Sequence, residues 1–329
     1  MTLDGRWKFR AVDKYGALPP GFRSVTRWMK GRVPGMVHTD LMANKKIPDP
    51  FYRMNETGMQ WVDSVQWHYR RDFRMPRNLM KLHRFELVAE GLDTYATIHL
   101  NGKRIGTASN MFIGHRFDLT GCLRTGKNRI EILFDAPEVR SKRLEKRHGR
   151  LDVSHGNHRV YVRKAQYSFG WDWGPKLTTS GIWRSISIEA IPDARMQHPF
   201  IRVLSAGERE ALLEISIDIL RHSTKPLSLR TTIRGEHFAL ELDRDVSRQR
   251  ETFRVRIPDP ELWWPNGSGR QPMYTAFFSL RSDDHELHRL EVPFAIRTVR
   301  LLQKRDLEGK TFILEVNGVK TFCKGADWI

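Results

Sequence analysis

Apolar and polar residues alternate with a period of two along much of the chain. In YATIHLNGKRIG, Ala96, Ile98 and Leu100 fall on one face, and Tyr95, Thr97 and His99 on the other. That is the period of a half-buried strand, and Asn101-Gly102 supplies the two positive-φ positions of a tight hairpin. FILEVNGVKTF repeats the arrangement with Asn317-Gly318 as its turn. KNRIEILFD, ALLEISIDIL, LSLRTTIR, TFRVRIP and MYTAFFSLRS are further short β-rich runs, separated by Gly, Pro, Asn or Asp. The helical period is rare. HTDLMANKK, opening at His38 or Thr39, predicts one short helix, and the basic run after Pro137 a second.

A mostly antiparallel β chain of this length divides into two sandwiches. The joint is expected in AIPDARMQHP, where Pro192 and Pro199 flank polar residues, with a second in PFAIRTVRLL. These joints predict domains at residues 1–191, 192–296 and 297–329. The final TFCKGADWI brings an apolar strand to a loop at Ile329, which reads as a truncated chain or a fragment.

Composition narrows the class. The 329 residues are 40% apolar and 10% aromatic, enough for folded cores and against wholesale disorder. The formal charge of +18 admits nucleic acid or another polyanion as partner. The densest basic run, Arg140 to Arg150, has no interleaved aromatic residues and reads as a solvated helix or loop, so no specific nucleic acid is expected. Cys122 and Cys323 lack metal-ligand spacing and are too few for a disulfide framework. No apolar stretch approaches the roughly 18 residues of a membrane span. With no signal peptide in MTLDGRWKFR, a cytoplasmic location and no membrane contact are expected.

The candidate chemistry sits in YSFGWDWGPKLTTSGIW, residues 167–183. Asp172 lies between Trp171 and Trp173. A carboxylate in apolar company needs a partner. Two readings stay open: a structural salt bridge to Arg163 or Lys164, or a ligand. Core packing is expected for at least one of Trp171 and Trp173, and core or inter-domain packing for Trp183. The two tryptophans of LWWPNG read as packing at a sandwich end.

Five stretches, in order, resemble the N-terminal part of β-mannosidases of glycoside hydrolase family 2. They are VPGMVHTDLMANKKIPDPFYRMNE with WHYRRDF, EGLDTYATIHLNGKRIGTASNMF, VRKAQYSFGWDWGPKLTTSGIWR, LWWPNGSGRQPMY and VNGVKTFCKGADWI. The resemblance implies a jelly-roll sugar-binding domain, an immunoglobulin-like sandwich, and then the first strand or strands of a truncated (β/α)8 barrel. It implies hydrolysis of terminal β-D-mannose with retention and without a cofactor, on a manno-oligosaccharide or a trimmed N-glycan. It also implies that Asp172, Trp171 and Trp173 form part of the sugar pocket, with Gly170, Gly174 and Pro175 shaping a projecting non-strand loop. The family has Asn where this chain has Asp327, so Asp327 receives no role.

A retaining glycosidase needs two carboxylates about 5–5.5 Å apart. By resemblance both lie in the missing barrel. Asn55-Glu56 mimics the acid/base signature, but it stands in the opening segment and reads as a loop glutamate. No catalytic residue is therefore expected in this chain. The alternatives are a stand-alone carbohydrate-binding module, another family 2 glycosidase of β-galactosidase or β-glucuronidase type, and a polyanion binder suggested by charge alone.

Overall fold

The computed structural model describes residues 1–77, 79–81, 84–154, 156–283 and 285–327. The chain divides into two compact units, Met1–Ile191 and Pro192–Ile329.

In the first unit the alternating runs become strands. In chain order they are β1 (Gly5–Val12), β2 (Met29–Val33), β3 (Gln66–Met75), β4 (Phe85–Ala89) and β5 (Leu92–Asp93). Then come β6 (Ala96–Leu100), β7 (Lys103–Ala108), β8 (His115–Asp118) and β9 (Gly126–Phe134). The short strands β10 (Phe169–Trp171), β11 (Gly174–Lys176) and β12 (Gly181–Ile182) precede β13 (Ile186–Ala190). One sheet has the order β2-β1-β3-β9-β6-β7 and a second β13-β4-β8, all antiparallel. Trp7, Phe9, Trp67, Tyr69, Ile98, Ile132 and Phe134 from the first sheet share one core with Leu87, Ile186 and Ile188 from the second. The β6–β7 turn behaves as its sequence requires: Leu100 pairs with Lys103, and Asn101 and Gly102 sit at φ +52° and +83°.

Two helices decorate this sandwich, α1 (Val37–Ala43) and α2 (Pro137–His148). Helix α1 carries two buried ionisable groups with opposed titrations. His38 is driven down to about 4 by burial and by the charge of Lys164, against the pull of Asp93, and its Nδ1 has no hydrogen-bond partner among the described residues. Burial pushes Asp40 up to about 6, although Arg32 N–H (3.0 Å) and Tyr69 O–H (3.0 Å) both donate to it. The depressed His38 contributes stability above its unfolded pKa near 6.5 and loses it as pH falls toward 4. The raised Asp40 contributes stability at low pH and loses it as pH rises through 6. Between pH 4 and 6 the two slopes oppose each other. Replacing His38 by Gln is expected to make stability at pH 4, relative to pH 7, about 3 kcal/mol higher than in the unsubstituted chain. Urea titrations at both pH values measure this, and an unchanged difference would mean that His38 titrates normally.

The second unit repeats the logic. Its strands are β14 (Ala194–Ala206), β15 (Glu210–Arg221), β16 (Ser228–Arg234), β17 (Ala239–Asp245), β18 (Arg250–Pro258), β19 (Tyr274–Ser282) and β20 (His285–Phe294). Sheets β14-β15-β18 and β17-β16-β19-β20 enclose a core that includes Leu213, Ile215, Leu229, Val255, Ala276 and Phe278. Strict burial alternation along β18 and β19 is the direct expression of their sequence pattern. Both tryptophans of LWWPNG are half-buried. The Arg297 guanidinium lies 4.3 Å from the Trp263 ring, and a Cβ on Gly269 would come within 2.8 Å of Trp264.

Residues 297–329 supply a third, antiparallel sheet of β21 (Val299–Leu302), β22 (Ile313–Val316) and β23 (Val319–Thr321). Asn317, at the β22–β23 turn, ties it back by donating to the Trp263 carbonyl (2.9 Å) and accepting from Thr298 N–H (2.9 Å).

Candidate functional site

The GWDWG stretch forms a hairpin, not the irregular loop expected from its glycines and proline. Phe169 pairs with Lys176 and Trp171 with Gly174, leaving Asp172 and Trp173 at the tip. Gly170 is the residue the hairpin demands. It stands at φ +85°, and a Cβ there would lie 2.9 Å from Lys176 Cβ and 3.2 Å from Lys176 Cα. Gly174 and Pro175 are ordinary members of β11.

A second segment clamps the base. The 3-10 stretch Asn55–Asp63 places Glu56 Oε1 to accept the Lys176 N–H at 2.6 Å, and Gln60 Nε2 to donate to the Lys176 carbonyl at 3.0 Å. Glu56 is therefore a structural carboxylate that fixes the edge of β11. The expected loop glutamate has a definite partner, one that lies 120 residues away in sequence.

Below the hairpin runs a chain of charged groups. Lys176 Nζ reaches Asp63 (3.4 Å) and Glu138 (3.7 Å), and Glu138 also pairs with Lys142 (3.0 Å) and His158 (3.0 Å). Burial raises the Asp63 carboxyl, with Lys176 opposing the shift. Burial alone would raise Glu138 as well. The Lys142 hydrogen bond and the charges of Lys176 and His158 outweigh it, holding Glu138 below its usual range. Apart from Glu138 and Lys142, an i,i+4 pair on α2, these residues carry no sequence signal of their role, because each partner comes from a different segment.

The tip is open. Trp171 is 38% exposed, Trp173 is 68% exposed, and Asp172 is exposed between them. The expectation that at least one of these indoles packs into the core fails. A two-residue tip on a two-stranded ribbon has no layer above it to pack against. Trp171 instead keeps contact with the body of the unit through the Arg159 guanidinium, 5.4 Å from its ring.

The proposed salt bridge to Lys164 is also absent. Lys164 is fully buried, and its ammonium donates to Asp93 and, at 2.6 Å, to Thr179. Thr179 O–H donates to the same Asp93 oxygen at 2.6 Å, and Thr94 caps the other oxygen. Arg163 is exposed, its carbonyl accepting from Met111 N–H at 3.0 Å. No ion pair joins Asp172 to either residue among those described. Trp183 is half-buried within the first unit, donating from Nε1 to the Met111 carbonyl at 3.1 Å.

Exposed apolar side chains lie in segments tied to the hairpin base. Phe51 and Met54, 74% and 73% exposed, immediately precede the Asn55–Asp63 clamp. Phe112 and Ile113 follow Met111, whose N–H and sulfur engage Arg163 and Ala165. Tyr167 borders the hairpin itself.

An exposed carboxylate flanked by two indole faces suits one ligand type well. It can accept two charge-assisted hydrogen bonds from adjacent hydroxyls, while the indoles cover an apolar C–H face. Among the described residues no group of three or more His, Cys, Asp or Glu is arranged to hold a metal ion.

Comparison with known proteins places these features in context. Residues 7–184 match the family model of the glycosyl hydrolase 2 galactose-binding domain-like region, and residues 194–297 the model of glycosyl hydrolases family 2. Over its whole length the chain is 36% identical to a β-mannosidase B of Emericella nidulans and 33% identical to one of Aspergillus niger, spanning 39% of each. The crystal structure of a β-D-mannosidase from Dictyoglomus thermophilum superposes over the full chain with a TM-score of 0.88 and 37% identity, 40% of that protein being covered. An exo-chitosanase of Amycolatopsis orientalis shares the fold at 19% identity and a TM-score of 0.65.

Proposed function

The chain belongs to glycosyl hydrolase family 2, and we propose that it is the non-catalytic N-terminal portion of a retaining β-mannosidase. The tip of the β10–β11 hairpin carries this reading. Asp172 joins no ion pair among the described residues and projects between two exposed indoles, on a base clamped by Glu56 and Gln60. In this role Asp172 accepts hydrogen bonds from two hydroxyls of a terminal β-mannose, and Trp171 and Trp173 shield its C–H face from water. The exposed apolar residues near the hairpin meet the catalytic barrel, which opens within residues 297–329 and supplies both reacting carboxylates from its later strands.

The division of labour is testable with p-nitrophenyl β-D-mannopyranoside, the matching β-galactoside and the matching β-glucuronide. The 329-residue chain is expected to release no nitrophenol from any of them. The full-length polypeptide is expected to turn over the β-mannoside in preference to the other two. Turnover by the short chain would return Glu56 to consideration as a catalytic group. A full-length preference for galactoside or glucuronide would remove the mannosidase assignment.

A further inference from the structure

The charge of the chain is unevenly shared. Residues 1–191 carry 34 Lys and Arg against 18 Asp and Glu, whereas residues 192–329 carry 22 against 20. Within the first unit, cations gather on the outer face of the six-stranded sheet. Trp7 and Phe9 of β1 point into the core, so Arg6 and Lys8 point out.

The registers set like charges directly opposite one another. Arg6 faces Arg32 and Lys8 faces Lys30 across β1–β2, Lys8 faces Arg70 across β1–β3, and Arg74 faces Lys127 across β3–β9. Directly opposed like charges destabilise a ladder, so the folding of the sheet does not account for them. The two neighbouring carboxylates on this face are already engaged, Asp72 by Arg129 at 2.6 Å and Glu131 by His68 at 3.3 Å. Arg6, Lys8, Lys30, Arg32 and Arg70 have no carboxylate partner within 4.0 Å among the described residues. Four of these cations, Arg6, Lys8, Lys30 and Arg70, line an open cavity of about 530 Å³ together with Arg71 and Asp72, whose carboxyl is held below its usual range by the Arg129 hydrogen bond and, more weakly, by the charges of Arg70 and Lys8. Strand geometry spaces such an array at roughly 5 Å across the sheet and roughly 7 Å along it.

The aromatic ring on this face distinguishes between polyanions. Trp28 is bracketed by the guanidinium groups of Arg10 (4.7 Å) and Arg70 (4.1 Å), with the His68 ring 5.0 Å away. Its faces are taken, so it provides no stacking platform for the bases of a single strand. A sheet face also presents no helix or ribbon to enter the major groove of a duplex. What remains is a two-dimensional array in which cations outnumber carboxylates, suited to a ligand recognised by its anionic groups alone. We infer that the outer face of the β2-β1-β3-β9 sheet binds a linear acidic polysaccharide through its sulfate or carboxylate groups. This site is separate from the hairpin and does not depend on the mannosidase reading.

The test uses the 329-residue chain and a fluorescently labelled, heparin-derived octasaccharide, titrated by anisotropy across a range of salt about 0.15 M. The chain is expected to bind, with affinity falling as salt rises. The variant Arg6→Gln/Lys8→Gln/Lys30→Gln is expected to bind at least about tenfold more weakly, with a salt slope smaller by roughly two to three. Its melting temperature should match or exceed that of the parent, because opposed like charges are relieved. The variant Lys146→Gln/Arg147→Gln/Arg150→Gln removes the same charge from the basic run around α2 and is expected to stay within about twofold of the parent. No binding by the parent, or equal losses in both variants, would overturn the assignment to this face. Equally tight binding of a charge-matched DNA duplex, weakened by the same sheet variant, would overturn the assignment to an acidic polysaccharide.

Discussion

Replacing Lys164 by methionine is expected to destabilise the first unit by about 3–5 kcal/mol. The Lys164 ammonium has no solvent exposure, and the Asp93 side chain has 2%. Burial lowers the Lys164 pKa, and the charge and hydrogen bond of Asp93 oppose that shift. Methionine preserves the length and apolar stem of lysine but leaves the Asp93 carboxylate without its counter-charge. Thr94 and Thr179 remain as donors and reduce the loss without neutralising the charge. For a unit of this size the loss corresponds to a fall in melting temperature on the order of 10 °C. The double variant Asp93→Asn/Lys164→Met removes both charges and is expected to be more stable than Lys164→Met alone, because no uncompensated ion remains. Chemical denaturation of the single and double variants measures both effects. A single-variant loss below about 1 kcal/mol would show that the pair contributes little.

The second large effect is functional. In the full-length polypeptide, Asp172→Asn is expected to lower kcat/KM for a β-mannoside by about 1.5–3 kcal/mol, roughly 10- to 150-fold. The melting temperature should hardly move. Asp172 is exposed at a hairpin tip and joins no ion pair among the described residues, so folding gains little from its charge. Tm and kcat/KM per folded molecule separate the two roles. A sharp fall in Tm with unchanged kcat/KM would make Asp172 a structural residue and remove it from the sugar pocket.

The contrast between Lys164 and Asp172 shows how far the sequence could be read. Both lie in one short stretch, and the residues alone left a pairing between them open. Folding instead sends Lys164 inward to Asp93, 71 residues earlier, and Asp172 outward to the tip of a hairpin. Trp171 and Trp173 are apolar in type, which by itself predicts burial for at least one of them, whereas the family resemblance places both in a sugar pocket. The topology gives them no covering layer, so both remain exposed.

What the sequence determined by itself was local. Period-two alternation placed the strands, because successive side chains of a strand point to opposite faces whatever surrounds them. Asn101-Gly102 and Asn317-Gly318 determined two turns, because the positive φ at both positions is a property of the residues themselves. Pro137 marked the start of α2 for the same kind of reason, its fixed φ and missing N–H suiting the first turn. The tertiary structure alone decided which charges meet. Glu56 finds the Lys176 N–H, Asp63 and Glu138 converge on Lys176 Nζ, and Lys8 is set between Lys30 and Arg70. A carboxylate or ammonium carries no preference for one partner over another along the chain. Its partner is chosen by strand register and sheet order, which exist only once distant segments have packed over a common core.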